Sequence, residues 1–153
     1  MTKDIELFEN GSGGELNVSK GDIQLNETLY QTIYIALFGG NTAAATIGNE
    51  LESEQRFDYW ANSLFFASET DKQYNSETQK ILSEVTINSS GRLKIQKAVE
   101  NDLSFISSIS NYTINVSILS VDKIEININL VNGTDLQFIW DNAKEEMITT
   151  KNI

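Results

Sequence analysis

Apolar and polar residues alternate in three short segments near the start of the chain. A period of two is typical of strands that bury one face. The apolar positions are Ile5 and Leu7, Leu16 and Val18, and Ile23 and Leu25. Turns are predicted between the segments, at residues 10–14 and at Lys20-Gly21-Asp22. We therefore expect an N-terminal β-hairpin within residues 1–25.

From Asn26 onward the apolar residues recur every three or four positions, which is typical of an amphipathic helix. We expect this first helix to end at Gly39-Gly40, because glycine commonly terminates helices. Its apolar positions are Leu29, Ile33, Ala36 and Leu37, with Tyr30, Tyr34 and Phe38 beside them. The small and polar residues 41–55 then indicate a surface loop.

Two further helices are predicted, which brings the total to about three. One covers residues 77–85, and Ser76 with Gln79 matches the first and fourth positions of a capping box at its start. The other covers residues 92–107. Its apolar positions are Ile95, Val99, Leu103 and Ile106, at spacings of three and four residues.

The period returns to two at Tyr112 and predicts an antiparallel sheet of about three strands over residues 112–141. We expect turns at residues 120–123 and at Asn132-Gly133, a pair that accepts positive φ. The inward positions are Ile114, Val116 and Ile118, then Ile124, Ile126, Ile128 and Leu130, then Leu136, Phe138 and Trp140. The charged tail, residues 144–153, should fray or dock by its last turn.

The order of these elements predicts an α+β fold in one domain of 153 residues. Residues 1–25 would form the hairpin, residues 26–107 a mainly helical part, and residues 112–141 the sheet. A chain of this length buries roughly two thirds of the surface that its unfolded form exposes. It therefore needs no covalent or metal staple.

The composition lacks both cysteine and histidine. Thiolate chemistry, disulfides and Cys- or His-ligated metal sites are thereby excluded, and so is a catalytic triad that uses histidine. We assign no catalytic residue, no metal and no cofactor. The formal charge of -11 repels nucleic acid phosphates and anionic membranes, so neither is expected as a partner. The N-terminus also lacks the apolar run of a signal peptide.

An aromatic segment, FDYWANSLFF at residues 57–66, is the densest apolar part of the chain. Burial in the core is the favoured interpretation, and an exposed partner interface is the alternative. Several acids lie near it and raise the possibility of a glycosidase pair, which requires two carboxylates at a fixed separation. They are Glu27, Glu50, Glu52, Glu54, Asp58 and Glu69. Solvated surface carboxylates are the simpler interpretation.

Taken in order, several segments of the chain resemble the Mu-like phage baseplate protein family. That family is itself similar to the wedge subunit of contractile tails once labelled lysozyme-like. The resemblance rests on DIELFENG, GDIQLNETLYQTIYIALFGG, YWANSLF, SETQKILSEV and IQKAVENDLSFI, followed by two alternating strands that end at an Asn-Gly turn. Wedge relatives commonly carry Glu-Pro-Arg before the first strand of the sheet, where this chain has Ser108-Ile109-Ser110-Asn111.

The resemblance implies a structural, non-enzymatic wedge component, made in the bacterial cytoplasm and located in the virion at the tail baseplate. Its partners would be other baseplate and sheath proteins, and further copies of itself in the assembled tail. An open sheet edge suits this role, because a partner can add a strand there. Residues 112–119 and 124–131 are the candidate edge strands. The candidate interface residues are Tyr59, Trp60, Asn62, Asn115, Ser117, Glu125, Asn127 and Asn129.

Two alternatives stay open at this point. A muralytic, lysozyme-like enzyme would use a pair of the acids named above. An acidic inhibitor or DNA mimic would use the negative charge to bind a basic nucleic-acid enzyme, and a regular acidic stripe would be its sequence signature. The acidic residues are dispersed along the chain instead.

Overall fold

The computed structural model describes residues 3–9, 14–41, 66, 68–69, 72, 75–131, 135–144 and 146–150. It confirms the α+β class. Six short strands precede the first helix: β1 Lys3–Ile5, β2 Leu7–Glu9, β3 Gly14–Leu16, β4 Val18–Ser19, β5 Asp22–Ile23 and β6 Leu25–Glu27. The helices are α1 Thr28–Phe38, α2 Glu77–Glu84 and α3 Ser89–Asp102, and a 3-10 helix follows at Ser104–Ser108. The remaining strands are β7 Tyr112–Ile118, β8 Lys123–Leu130, β9 Asp135–Asp141 and β10 Glu146–Thr150.

The C-terminal sheet is antiparallel and has four strands, in the order β10-β9-β8-β7. The tail was expected to fray or to dock by its last turn, but residues 146–150 form a fourth strand, and β10 pairs with β9 along its whole length. Met147 lies opposite Trp140 in this pairing, and both side chains are buried. Met147 is thus the buried apolar residue that anchors β10 in a charged segment. A single such residue gives no clear period in the sequence, so the strand was not predicted. The turn predicted at Asn132-Gly133 lies outside the described residues.

The helices cover one face of this sheet, and α1 forms the centre of the core. Tyr34, Leu37 and Phe38 of α1 are fully buried. The ring of Phe38 stacks on Trp140 with centroids 6.2 Å apart, and Tyr30 stacks on Phe138 at 5.8 Å. Aromatic pairs at these distances add to the stabilisation that burial provides. Among the described residues, every helix falls short of the length and apolar character that crossing a bilayer requires.

The predicted capping box at the start of α2 does not form. The Ser76 hydroxyl donates to the Ala36 carbonyl at 2.8 Å and accepts from the Gly39 amide at 3.1 Å. Ser76 thus satisfies backbone groups at the end of α1 and makes no side-chain cap for its own helix. The Asp102 carboxylate replaces it, because it accepts the Glu77 amide at 3.0 Å and the Thr78 amide at 2.8 Å.

Helix α3 begins three residues earlier than the sequence pattern predicts. Asn88 caps it by accepting the Gly91 amide at 2.8 Å. Gly91 lies against the preceding turn so closely that an added Cβ would overlap the Thr86 carbonyl oxygen. The helix ends at Asp102, and the expected continuation to residue 107 is a 3-10 helix.

The predicted N-terminal hairpin forms as three short antiparallel ladders that meet at one point. β1 pairs with β6, β2 with β3, and β4 with β5. At the junction the Glu6 amide donates to Gln24, the Gln24 amide to Asn17 and the Asn17 amide to Glu6, at 2.8 to 2.9 Å between nitrogen and carbonyl oxygen. Lys20 and Gly21 turn the chain with positive φ of 54° and 81°, as the turn prediction requires. We call residues 3–27 the three-way β junction.

Candidate partner interface

Five of the predicted interface residues lie together on the outer face of the C-terminal sheet, the face opposite the helices. In the register of β7 and β8, Asn115 lies opposite Asn127 and Ser117 opposite Glu125. Asn129 extends the same face toward β9. The alternation of the sequence was therefore sufficient to group them. The other three predicted residues, Tyr59, Trp60 and Asn62, lie outside the described residues.

Hydrogen bonds between side chains connect this outer face. The Glu125 carboxylate accepts the Asn127 amide at 2.8 Å and also accepts the Gln137 side-chain amide. The Asn115 amide donates to the Ser117 hydroxyl at 3.3 Å. Glu125 therefore joins strands β8 and β9, and much of the hydrogen-bonding capacity of the face is used internally.

The sheet has two edge strands, β10 and β7, and β7 is the one that the sequence predicts as a partner edge. The Leu119 amide donates to the Lys123 carbonyl and the Val131 amide to the Asn111 carbonyl, so odd-numbered residues of β7 form the hydrogen-bonded pairs with β8. The even-numbered residues therefore direct their N–H and C=O groups away from β8. They are Tyr112, Ile114, Val116 and Ile118. In the part of the chain that the structure describes, no strand pairs with this edge.

The prediction that residues 124–131 form an edge strand was wrong. It corresponds to β8, which pairs with β7 on one side and β9 on the other. Its backbone is consequently used on both sides, and a partner could contact β8 only through its outward side chains, Glu125, Asn127 and Asn129 among them. Strand order depends on pairing between distant segments, so alternation within one segment does not predict it.

Arg92 is the one charged group that contacts the β7 edge through a described hydrogen bond, and the sequence analysis assigned it no role. Its Nη1 donates to the Val116 carbonyl at 3.3 Å and to Gln96 Oε1 at 3.2 Å. The Gln96 side-chain amide in turn donates to Glu100 at 3.1 Å. Arg92, Gln96 and Glu100 are four residues apart on α3. This spacing in the sequence could have indicated a row of polar side chains along one side of the helix.

The two faces of β7 differ in chemistry along the open edge. On the helix side, Tyr112 and Ile114 are half-buried and Ile118 is exposed. On the outer side lie polar residues, Asn115 and Ser117 among them. A strand added here would therefore meet apolar side chains on one face and amide or hydroxyl side chains on the other.

Among the six candidate acids of the glycosidase alternative, only Glu69 has a side chain within the described residues. Glu69 pairs with Lys72 in an exposed contact. The side chain of Glu27 and the whole of residues 50–58 lie outside the described part. Within the described residues, no group of three or more carboxylates is arranged to hold a metal ion.

Comparison of this chain with protein-family models, curated proteins and solved structures gives no match.

Proposed function

We propose that this protein is a structural wedge component of a contractile phage tail baseplate, or of a related tail-derived device, and that it links hub and sheath through protein-protein contacts. The observation that supports the proposal best is the open backbone edge of β7, which extends over seven residues. Its partners would be other baseplate and sheath proteins, and its location the virion. The resemblance of the sequence to baseplate proteins is the reason for proposing a phage tail as the assembly.

Backbone pairing at this edge would give useful affinity with little demand on the partner's sequence. Four residues of β7 direct backbone groups outward, and each hydrogen bond contributes about 0.5–1.5 kcal/mol net. An added strand would also cover Ile118 and the half-buried side chains of Tyr112 and Ile114 on the same face. Such a contact suits a subunit that must hold a partner's extended arm in a large assembly.

Co-expression with the neighbouring tail genes tests this function. We expect the tagged protein to co-purify in a fixed ratio with a hub or sheath subunit. The complex should survive raised salt, because backbone hydrogen bonds and buried apolar contacts are screened much less than exposed charges. An unrelated protein of similar length and charge serves as the control.

Two outcomes would contradict the proposal. If no tail protein associates, the wedge assignment fails. If association occurs but disappears at raised salt, the contact depends on the charge of -11 and the acidic-inhibitor alternative is favoured.

A further inference from the structure

The three-way β junction carries an apolar face that is turned toward solvent. Its ladders place Ile5 opposite Leu25, Leu7 opposite Leu16, and Val18 opposite Ile23. Within each continuous segment the two apolar residues are two positions apart, so they share a face. Residues that lie opposite each other in a ladder also share a face. The three cross-strand pairs and the three segments together form a closed circuit, so all six side chains lie on one side of the junction. We call this side the junction face.

Five of these six side chains are substantially exposed, from 39% for Ile5 to 59% for Val18. The sixth, Leu7, belongs to the core. On the opposite side of the junction, the polar residues Glu6, Asn17 and Gln24 are half-buried. The apolar side is thus the more exposed of the two, which is the reverse of the usual arrangement and typical of an interaction surface.

The area of the junction face favours a short segment of a partner protein as its occupant over a second copy of this chain. Five half-exposed aliphatic side chains offer roughly 400 Å² of apolar surface, about half of what each partner buries in a standard stable interface. Two or three turns of an amphipathic helix present a matching area through residues three and four apart.

The backbone of the junction also favours a helix over a strand. At the centre, Glu6, Asn17 and Gln24 use their amides and carbonyls to bond one another in a closed ring. At the centre of the face, a partner therefore meets side chains and backbone groups that are already paired. A helix satisfies its own backbone hydrogen bonds and can pack on such a face, whereas a single added strand would leave its backbone groups unpaired there.

Charge defines the partner further. Residues 3–27 contain two lysines and six carboxylates. A helix with lysine or arginine beside its apolar stripe would be attracted, and an acidic helix would be repelled. From these observations we infer that the junction face docks a basic amphipathic helix of a partner protein. This site is separate from the β7 edge, so the inference goes beyond the proposed function and does not depend on it.

A model peptide tests the inference directly. The probe is a synthetic peptide of lysine and leucine, about four helical turns long, with all leucines on one face. The control peptide has the same composition with the leucines distributed around the helix. We expect the amphipathic peptide to bind at least tenfold more tightly in a fluorescence anisotropy titration, because both peptides share the charge attraction.

Matched variants locate the binding. Val18→Thr with Ile23→Thr changes one apolar pair of the face while it keeps β-branched residues, and should remove the tenfold difference. Val121→Thr with Val131→Thr, at two exposed positions of the C-terminal part, should preserve it. Ile118→Pro at the β7 edge should also preserve the tenfold difference between the peptides. A failure of this inference can therefore be told apart from a failure of the proposed function.

Equal binding of the two peptides, or a preference that Val18→Thr with Ile23→Thr leaves unchanged, would overturn the inference. A dimer of the unmodified protein that this double variant dissociates would also overturn it, because the occupant would then be a second copy. The amide spectrum of each variant, recorded by NMR, verifies that the fold is retained.

Discussion

The guanidinium of Arg92 donates a hydrogen bond to the carbonyl oxygen of Val116, at 3.3 Å, on the open edge of the sheet. This contact occupies one of the outward backbone groups of β7 with a charged side chain. Natural proteins commonly use charges in this way to keep edge strands from pairing with one another. Arg92 would have to release Val116 when a partner strand pairs there.

Replacing Arg92 by methionine should make the edge more adhesive. The variant keeps an unbranched apolar side chain but loses the charge and the bond to Val116, so we expect weak self-association that increases with protein concentration. Sedimentation equilibrium measures it. Lys94→Met removes the same charge from an exposed position of α3 and should stay monomeric. Equal association of the two variants would show that net charge, and not the contact with Val116, is responsible.

Proline at position 118 should block pairing without disrupting the sheet. Ile118 directs its N–H outward, so the substitution removes no bond to β8, and proline is tolerated on edge strands. We expect the affinity for the co-purifying tail protein to fall at least tenfold. Ile118→Val, which keeps the N–H and the branched side chain, is the control. An unchanged affinity for the proline variant would place the contact elsewhere.

Ser76→Ala should destabilise the fold by about 1–3 kcal/mol, the cost of leaving buried polar groups unsatisfied. The substitution removes the acceptor for the Gly39 amide and the donor to the Ala36 carbonyl. Urea denaturation measures the loss. Ser83→Ala, which removes only an exposed hydroxyl bonded to the Lys80 carbonyl, should change stability by less than about 0.5 kcal/mol. Similar values for both variants would contradict the structural role of Ser76.

Asp102 should make stability depend on pH in a direction unusual for an aspartate. Burial raises the pKa of its carboxyl, although the hydrogen bonds from the Thr78 and Glu77 amides act in the opposite direction. The folded state therefore keeps a proton at pH values where the unfolded chain, with a pKa of about 3.9, has lost it. Its contribution to stability is fully present below that value and is lost as pH rises through the raised pKa.

The pH dependence is measured as the difference between the unmodified protein and Asp102→Asn, which cannot ionise. Between about pH 4 and pH 7 the free energy of unfolding of the unmodified protein should fall relative to that of the variant. The difference removes the contribution of the other carboxylates. Parallel curves would mean that the Asp102 pKa is not raised by folding.

The periodicity of apolar residues within a segment predicted the features that depend on interactions within that segment. Ile124, Ile126 and Ile128 are fully buried as their alternation required, and the polar residues between them share the outer face. Strand order, by contrast, arises from pairing between distant segments, which explains why β8 was mistaken for an edge. The cap of α2 was missed for the same reason, since Asp102 lies 24 residues from Thr78.

Amide hydrogen exchange along β7 tests the central claim most directly, in the free protein and in the complex with the tail protein that co-purifies. In the free protein the amides of Asn115 and Ser117 should exchange slowly, because they bond to β8, and those of Ile114 and Ile118 should exchange quickly. In the complex the amides of Ile114 and Ile118 should become slow as well. If they are already slow in the free protein, or remain fast in the complex, no partner strand completes this edge and the proposed function is wrong.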